Sequence, residues 1–247
     1  MRGPQRWELL ALLLLAVGVA ALLWLYAGDF LAGLLLHRVA LLDARWETII
    51  LQSRVPGWQP FWAGVTQLGG PDFLPWLLAL MAAACFATWR FFDGFLLVAG
   101  TAILAVLVQL IKVTTARARP PAAEMLSPAF PSGHVSLSVV IYGLLALYLL
   151  ATLRHRGLRL ALVTVLAVLV AAISWSRLIL GVHWPSDVLG AWLLSGLWLV
   201  LLWGVWRTYH SRHPHYGLTG ARQTWSRVAL GLLGVVGLAV MGYVLSF

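Results

Sequence analysis

Two short stretches of this chain concentrate groups able to grip and attack a phosphate. In the first, Lys112 is followed after six residues by Arg119-Pro120, and the stretch closes on Pro131-Ser132-Gly133-His134. In the second, Ser176-Arg177 is followed after five residues by His183 and after three more by Asp187. Lys112, Arg119 and Arg177 are cations, His134 and His183 are bases or nucleophiles, and Asp187 can reach an imidazole nitrogen of His183 from one turn further along a helix. A carboxylate partner fixes the imidazole tautomer and leaves the other nitrogen able to attack. Taken alone, Pro-Ser-Gly-His is equally a helix cap and His-x-x-x-Asp equally a structural pair. Together, three cations facing two histidines, with no carboxylate cage for a divalent ion, describe phosphoryl transfer in which Lys and Arg meet the developing charge. Lys112 is the sole lysine beside sixteen arginines, and a compact ammonium suits a single phosphate oxygen where a guanidinium presents a fork.

These residues must be positioned by helices. Ser132 is a good N-cap and Gly133 permits close backbone approach, so a helix is expected to start there with free N–H groups facing an anion. Pro185 suits a first helical turn, so a second helix is expected to start near it with His183 at its mouth.

The composition says where such helices live. Of 247 residues, 62% are hydrophobic and 10% charged, against roughly half and a quarter in a soluble domain. That excludes a soluble fold and disorder alike. A single cysteine, Cys85, excludes a disulfide framework and a Cys-based zinc site. Seven apolar runs, near residues 9–26, 73–89, 94–111, 135–153, 160–175, 188–206 and 228–244, are long enough or nearly so to cross a hydrocarbon layer of about 30 Å as helices. The first is read as a retained anchor, because no small-x-small cleavage site follows it.

With the N-terminus inside, the inner loops carry ten arginines against Glu8 and Asp93. The outer side carries seven basic residues against six acidic ones, an asymmetry that follows the positive-inside rule. Both chemistry-bearing loops then fall on the outer side. Residues 29–60, where Leu and Ile alternate with Arg38, Asp43, Arg45 and Glu47, read as one or two amphipathic helices in the outer interface. Fourteen tryptophans are expected as interface anchors. His210, His213 and His215 lie in the 207–227 loop without a carboxylate or cysteine beside them, which reads as a solvated linker rather than a metal site.

The blocks K-x6-R-P, P-S-G-H and S-R-x5-H-x3-D, in this order, resemble the signature of the type 2 phosphatidic acid phosphatase (PAP2) family. Here they run from Lys112 to Arg119-Pro120, over Pro131 to His134, and from Ser176-Arg177 through His183 to Asp187. The resemblance implies an all-α, polytopic transmembrane bundle with a core shared with vanadium haloperoxidases. The chain is expected to form one domain over 1–247, with a core at 94–206, six core spans and a seventh at 228–244, where bacterial integral-membrane members usually have six. It implies roles too: His183 as nucleophile, Asp187 as its orienting partner, and His134 as the acid that protonates the leaving oxygen and then helps activate water. Lys112, Arg119 and Arg177 are the implied phosphate clamp, with Ser132 and the Gly133 backbone as added donors.

The function expected is a metal-independent and cofactor-free lipid phosphate or diphosphate phosphatase of the cell (inner) membrane. Its site faces the periplasm or exterior, and it acts through a phosphohistidine on undecaprenyl diphosphate or phosphatidylglycerophosphate-type lipids. Phosphatidic acid and a lipid A phosphate fit the same site. The expected partners are the lipid phosphate substrate and the bilayer, with no nucleic acid and an oligomeric state the sequence leaves open. Two alternatives stand beside it: transfer of the phosphoryl group to a lipid acceptor, and a non-catalytic lipid-binding or transport protein, which would need neither His134 nor the His183–Asp187 pair.

Overall fold

The computed structural model describes residue 18 and residues 29–123, 125–153 and 155–213. The expected spans at 9–26 and 228–244, His215 and Glu124 lie outside the described residues. All regular structure among the described residues is helical, in seven elements. These are α1 (Asp29–Gln52), α2 (Gln59–Gln67), α3 (Leu74–Ala87), α4 (Phe91–Thr115), α5 (Gly133–Thr152), α6 (Arg156–Ile179) and α7 (Pro185–Arg212). Four of them, α4 to α7, are long and apolar enough to cross a membrane, so the chain is a multi-span membrane protein.

The expected span at 73–89 is shorter than its apolar run suggested. Its helix, α3, has 14 residues, a rise of about 21 Å. The Gly69-Gly70-Pro71 turn delays its start, and Trp89 at φ 58 ends it. The four long helices overrun the apolar windows that announced them. Hydropathy falls at the first polar side chain, whereas intrahelical hydrogen bonds continue until a residue cannot adopt helical angles. The 207–227 stretch shows the same effect: α7 runs on to Arg212. His210 is no solvated linker residue, since its Nε2 lies 3.4 Å from Asp93 Oδ1 and its ring stacks on Trp206.

The central element is α5, which packs against α3, α4, α6 and α7. Its inward residues Val135, Val140, Leu145 and Leu149 are fully buried. The Tyr142 hydroxyl donates to Leu68 O at 2.8 Å, tying α5 to the end of α2. Between helices in lipid the cohesion comes from close packing and not from expulsion of water. Lipid-facing positions are correspondingly large and apolar, for example Trp76, Phe95, Val106 and Leu193.

One end of the bundle collects the C-termini of α4 and α6 and the N-termini of α5 and α7. Ala116, at φ 43, terminates α4, and Pro120, Pro121, Pro128 and Pro131 keep the following loop from resuming a helix. Gly181 turns the chain out of α6 at φ +72, an angle that favours glycine. At the opposite end Arg90 pairs with Asp93, and Phe92 stacks on Tyr209 with centroids 3.6 Å apart. The 29–60 segment is one long helix, a turn and the start of α2. Its outward residues Leu41, Leu42, Trp46 and Ile49 are exposed as an amphipathic reading requires, but Asp43 is buried against α7.

Candidate active site

Each expected site residue is delivered by a helix end at the shared pole of the bundle. Lys112 comes from the last turn of α4 and Arg119 from the proline-rich loop. Ser132, Gly133 and His134 open α5, Arg177 is in the last turn of α6, His183 precedes α7, and Asp187 is in its first turn. The two stretches are stitched together by the Ser132 N–H donating to Asp187 O at 3.2 Å and by Arg119 Nη1 donating to Val182 O at 2.7 Å. A Cβ on Gly190 would fall 2.3 Å from Phe130 Cε2; its absence lets the loop carrying Pro131-Ser132 close onto α7.

The proton on His183 is placed by its neighbours. Arg119 Nη1 lies 3.2 Å from His183 Nε2, and a guanidinium can only donate. Nε2 therefore accepts, the ring proton is on Nδ1, and Nδ1 donates to Asp187 Oδ2 at 3.3 Å. Asp187 is fully buried. The same Oδ2 accepts the Trp184 N–H at 2.9 Å, so one carboxylate caps α7 and orients the imidazole. Burial pushes the His183 imidazole down from 6.5 to about 4, opposed by the hydrogen bond to Asp187 and reinforced by the positive charges of Arg177 and Arg119. The ring is thus a neutral base with an available Nε2 lone pair at physiological pH.

The cations are held by neutral acceptors. Lys112 Nζ donates to Pro128 O at 2.6 Å and Ala129 O at 3.3 Å. Arg119 also donates to Ser127 O at 2.7 Å and Ser127 Oγ at 3.0 Å. Arg177 Nη1 donates to Thr66 Oγ1 at 2.7 Å, while its Nε has no partner. None of the three forms an ion pair with a carboxylate among the described residues, so each keeps its charge for an incoming anion. Burial lowers the Arg119 guanidinium from its ordinary value, with the Asp187 charge opposing, yet guanidinium stays protonated.

Ser132 occupies the N-cap position of α5, but its hydroxyl makes no cap hydrogen bond. The Oγ is buried and unpartnered. The helix-cap reading of this residue therefore accounts for its backbone and not for its side chain. Gly133 sits above the lysine stem, where an added Cβ would be 4.0 Å from Lys112 Cε. His134 is half-buried and lies within electrostatic reach of Arg177, His183, Arg119 and Lys112.

All eight residues singled out in the sequence converge. Four neighbours were not singled out: Asp43, Thr66, Arg117 and Ser186. Arg117 Nη1 donates to Asp187 Oδ1 and to Ser186 Oγ, each at 2.6 Å, and Arg117 Nη2 pairs with Asp43. The available signal was Arg117 itself, a further cation between Lys112 and Arg119.

The chain is similar to known proteins. The PAP2 superfamily model matches residues 93–211. Phosphatidylglycerophosphatase B of Bacillus subtilis is 32% identical over 158 residues, covering 61% of this chain and 76% of the relative. The crystal structure of a transmembrane PAP2-type phosphatidylglycerolphosphate phosphatase, also from Bacillus subtilis, superposes with a TM-score of 0.65 at 23% identity, over 80% of this chain and 96% of that one.

Proposed function

The chain belongs to the PAP2 superfamily and is a phosphatase, and from that premise we propose that it hydrolyses a membrane lipid phosphate by way of a phosphohistidine on His183. The single observation that carries this reading is the Arg119–His183–Asp187 arrangement, which leaves Nε2 as the attacking atom of a neutral imidazole in reach of three cations. Lys112, Arg119 and Arg177 receive the non-bridging phosphate oxygens, with the Ser132 hydroxyl and the N–H groups at the start of α5 as further donors. As phosphate enters, Arg119 exchanges Nε2 for a phosphate oxygen, which frees the lone pair.

In the first step the Nε2–P bond forms and the P–O bond to the lipid breaks, with His134 giving its proton to the departing oxygen. In the second, His134 takes a proton from water as the water oxygen bonds to phosphorus. The N–P bond breaks, and inorganic phosphate leaves. The chemistry draws on no metal or cofactor.

The name of the relative from Bacillus subtilis supports phosphatidylglycerophosphate as the substrate, and a lipid diphosphate such as undecaprenyl diphosphate fits the same clamp. The sequence-based asymmetry, ten arginines against two acidic residues in the inner loops, supports a periplasmic or outer-facing site in the cell membrane. The test is phosphate release by purified protein from short-chain phosphatidylglycerophosphate, phosphatidic acid and a polyprenyl diphosphate. Release from at least one, unaffected by EDTA and lost in His183→Ala and His134→Ala, is expected. Full activity in His183→Ala overturns the mechanism, and phosphate appearing on an added lipid acceptor in place of solution points to transfer.

A further inference from the structure

Among the described residues, Arg117 is the only side chain that touches both the carboxylate beside His183 and an element outside the matched family segment. Its Nη1 lies 2.6 Å from Asp187 Oδ1. Its Nη2 pairs with Asp43 Oδ2 on α1. The two carboxylates are almost entirely withdrawn from solvent, at 0% and 3% exposure. A second strand of contacts runs parallel to the first: Asp43 accepts the Ser186 N–H at 2.9 Å and the Ser186 hydroxyl at 2.6 Å. The guanidinium is further held over the Trp184 ring, 6.0 Å from its centroid.

The geometry divides the work between the oxygens of Asp187. Oδ1 is engaged by Arg117, and Oδ2 is left to the Trp184 N–H and the His183 Nδ1–H. With Oδ1 anchored, the carboxylate cannot rotate away from the imidazole. Arg117 would by itself draw much of the negative charge of Asp187. Asp43 shares that cation, so Asp187 keeps enough charge to hold the proton on Nδ1.

We propose that Asp43 and Arg117 are positioning residues, a relay Asp43–Arg117–Asp187 that fixes the carboxylate setting the His183 tautomer and makes α1 part of the active site. The proposal rests on His183 being the nucleophile.

The test uses the full-length protein in detergent, with dioctanoyl phosphatidylglycerophosphate as probe and thermal unfolding as a folding control. Arg117→Gln is expected to lower kcat by roughly 30- to 100-fold with KM within about twofold, because the loss falls on chemistry and not on binding. Arg117→Lys is expected to recover part of it, since an ammonium can reach one of the two carboxylates. Asp43→Asn is expected to lower kcat by about tenfold, and the Asp43→Asn/Arg117→Gln double variant to be no worse than Arg117→Gln alone, the mark of coupled residues.

The pH profile adds a readout that loss of packing would not give. Asp187, Arg119, Arg177 and His134 lie within electrostatic reach of His183, and Lys112 lies within reach of Asp187. Of the changes made, Arg117→Gln alone strips a cation from Asp187, so the acid limb of kcat/KM is expected to rise by about one pH unit. Asp43→Asn is expected not to raise it. Independently of turnover, 15N-histidine NMR is expected to show the Nδ1–H tautomer for His183 in the parent and a mixture in Arg117→Gln.

Folded Asp43→Asn and Arg117→Lys variants with kcat within twofold of the parent overturn the proposal, as do additive effects in the double variant or an unchanged His183 tautomer. A parent protein that releases no phosphate from any lipid sinks the proposed function instead, and the NMR comparison then still decides this one.

Discussion

His183 is kept neutral by burial and kept in one tautomer by two neighbours, and both facts have measurable consequences. With His183 as the proposed nucleophile, the loss of kcat/KM that comes from protonating its Nε2 is expected near pH 4, apart from the limb set by the acid His134. An acid limb near 6.5 contradicts this account. The same shift acts on folding. The unfolded imidazole takes up a proton as pH falls through 6.5 and the folded one resists until about 4. Stability from this group is therefore fully present above 6.5 and is lost as pH descends across that window. Ser132 offers a cleaner dissection. Its hydroxyl has no partner, so Ser132→Ala is expected to leave the melting temperature unchanged. It is expected to lower kcat/KM by roughly 10- to 150-fold, the worth of one hydrogen bond to a charged group. A destabilised but fully active Ser132→Ala protein refutes the role given to it. At this scale the sequence was highly legible: three blocks with fixed spacings named Lys112, Arg119, Ser132, Gly133, His134, Arg177, His183 and Asp187, and all eight meet. Asp43 and Thr66 were not legible, because their partners lie far away in the chain and neither belongs to a patterned block.

Among the elements, the start of α7 is where packing and chemistry share atoms. Gly190 lets Phe130 lie against the helix, and Phe130 precedes the Pro131-Ser132 segment. Gly190→Val is expected to push that segment outward and cost on the order of 1–3 kcal/mol, with kcat/KM falling because Ser132 and His134 move relative to His183. Differential scanning fluorimetry and turnover measured on one preparation check both parts, and a loss of stability without a loss of turnover would detach the helix contact from the site. Helix existence was readable from apolar runs and the starts of α5 and α7 from Ser132-Gly133 and Pro185, while the other helix ends were not. The 14 residues of α3 against the 25 of α4 reflect glycine, proline and left-handed residues at the boundaries, which hydropathy does not register. Likewise, α1 reads as a helix with one apolar face, and Asp43 reads as part of the polar face until α7 is placed beside it.

At the scale of the whole molecule, the described residues gather charge at the two poles. The site collects one pole, and Arg90, Asp93 and His210 the other. Asp93→Asn removes the carboxylate paired with the buried Arg90, so it is expected to lower the melting temperature with kcat unchanged in the folded fraction. A selective loss of kcat would show that the far pole communicates with the site. Orientation is open to a direct experiment, because Cys85 is the only cysteine. In a Cys85→Ser background, Ser127→Cys is expected to react with a membrane-impermeant maleimide from the outer side of intact cells, and reaction only after lysis reverses the topology.

Sequence alone determined the membrane-spanning helical class, since 62% hydrophobic composition leaves no polar skin to solvate. It also picked out the eight residues proposed to bind phosphate and attack it, because their spacing follows from helix ends and turns that are local. What the tertiary structure decided is which groups complete the site from afar. The Asp43–Arg117–Asp187 relay joins residues separated by 74 and 70 positions, and the Arg177–Thr66 contact spans 111. Such contacts depend on how helices cross, and crossing is set by the summed fit of many side chains rather than by any pattern short enough to read along the chain.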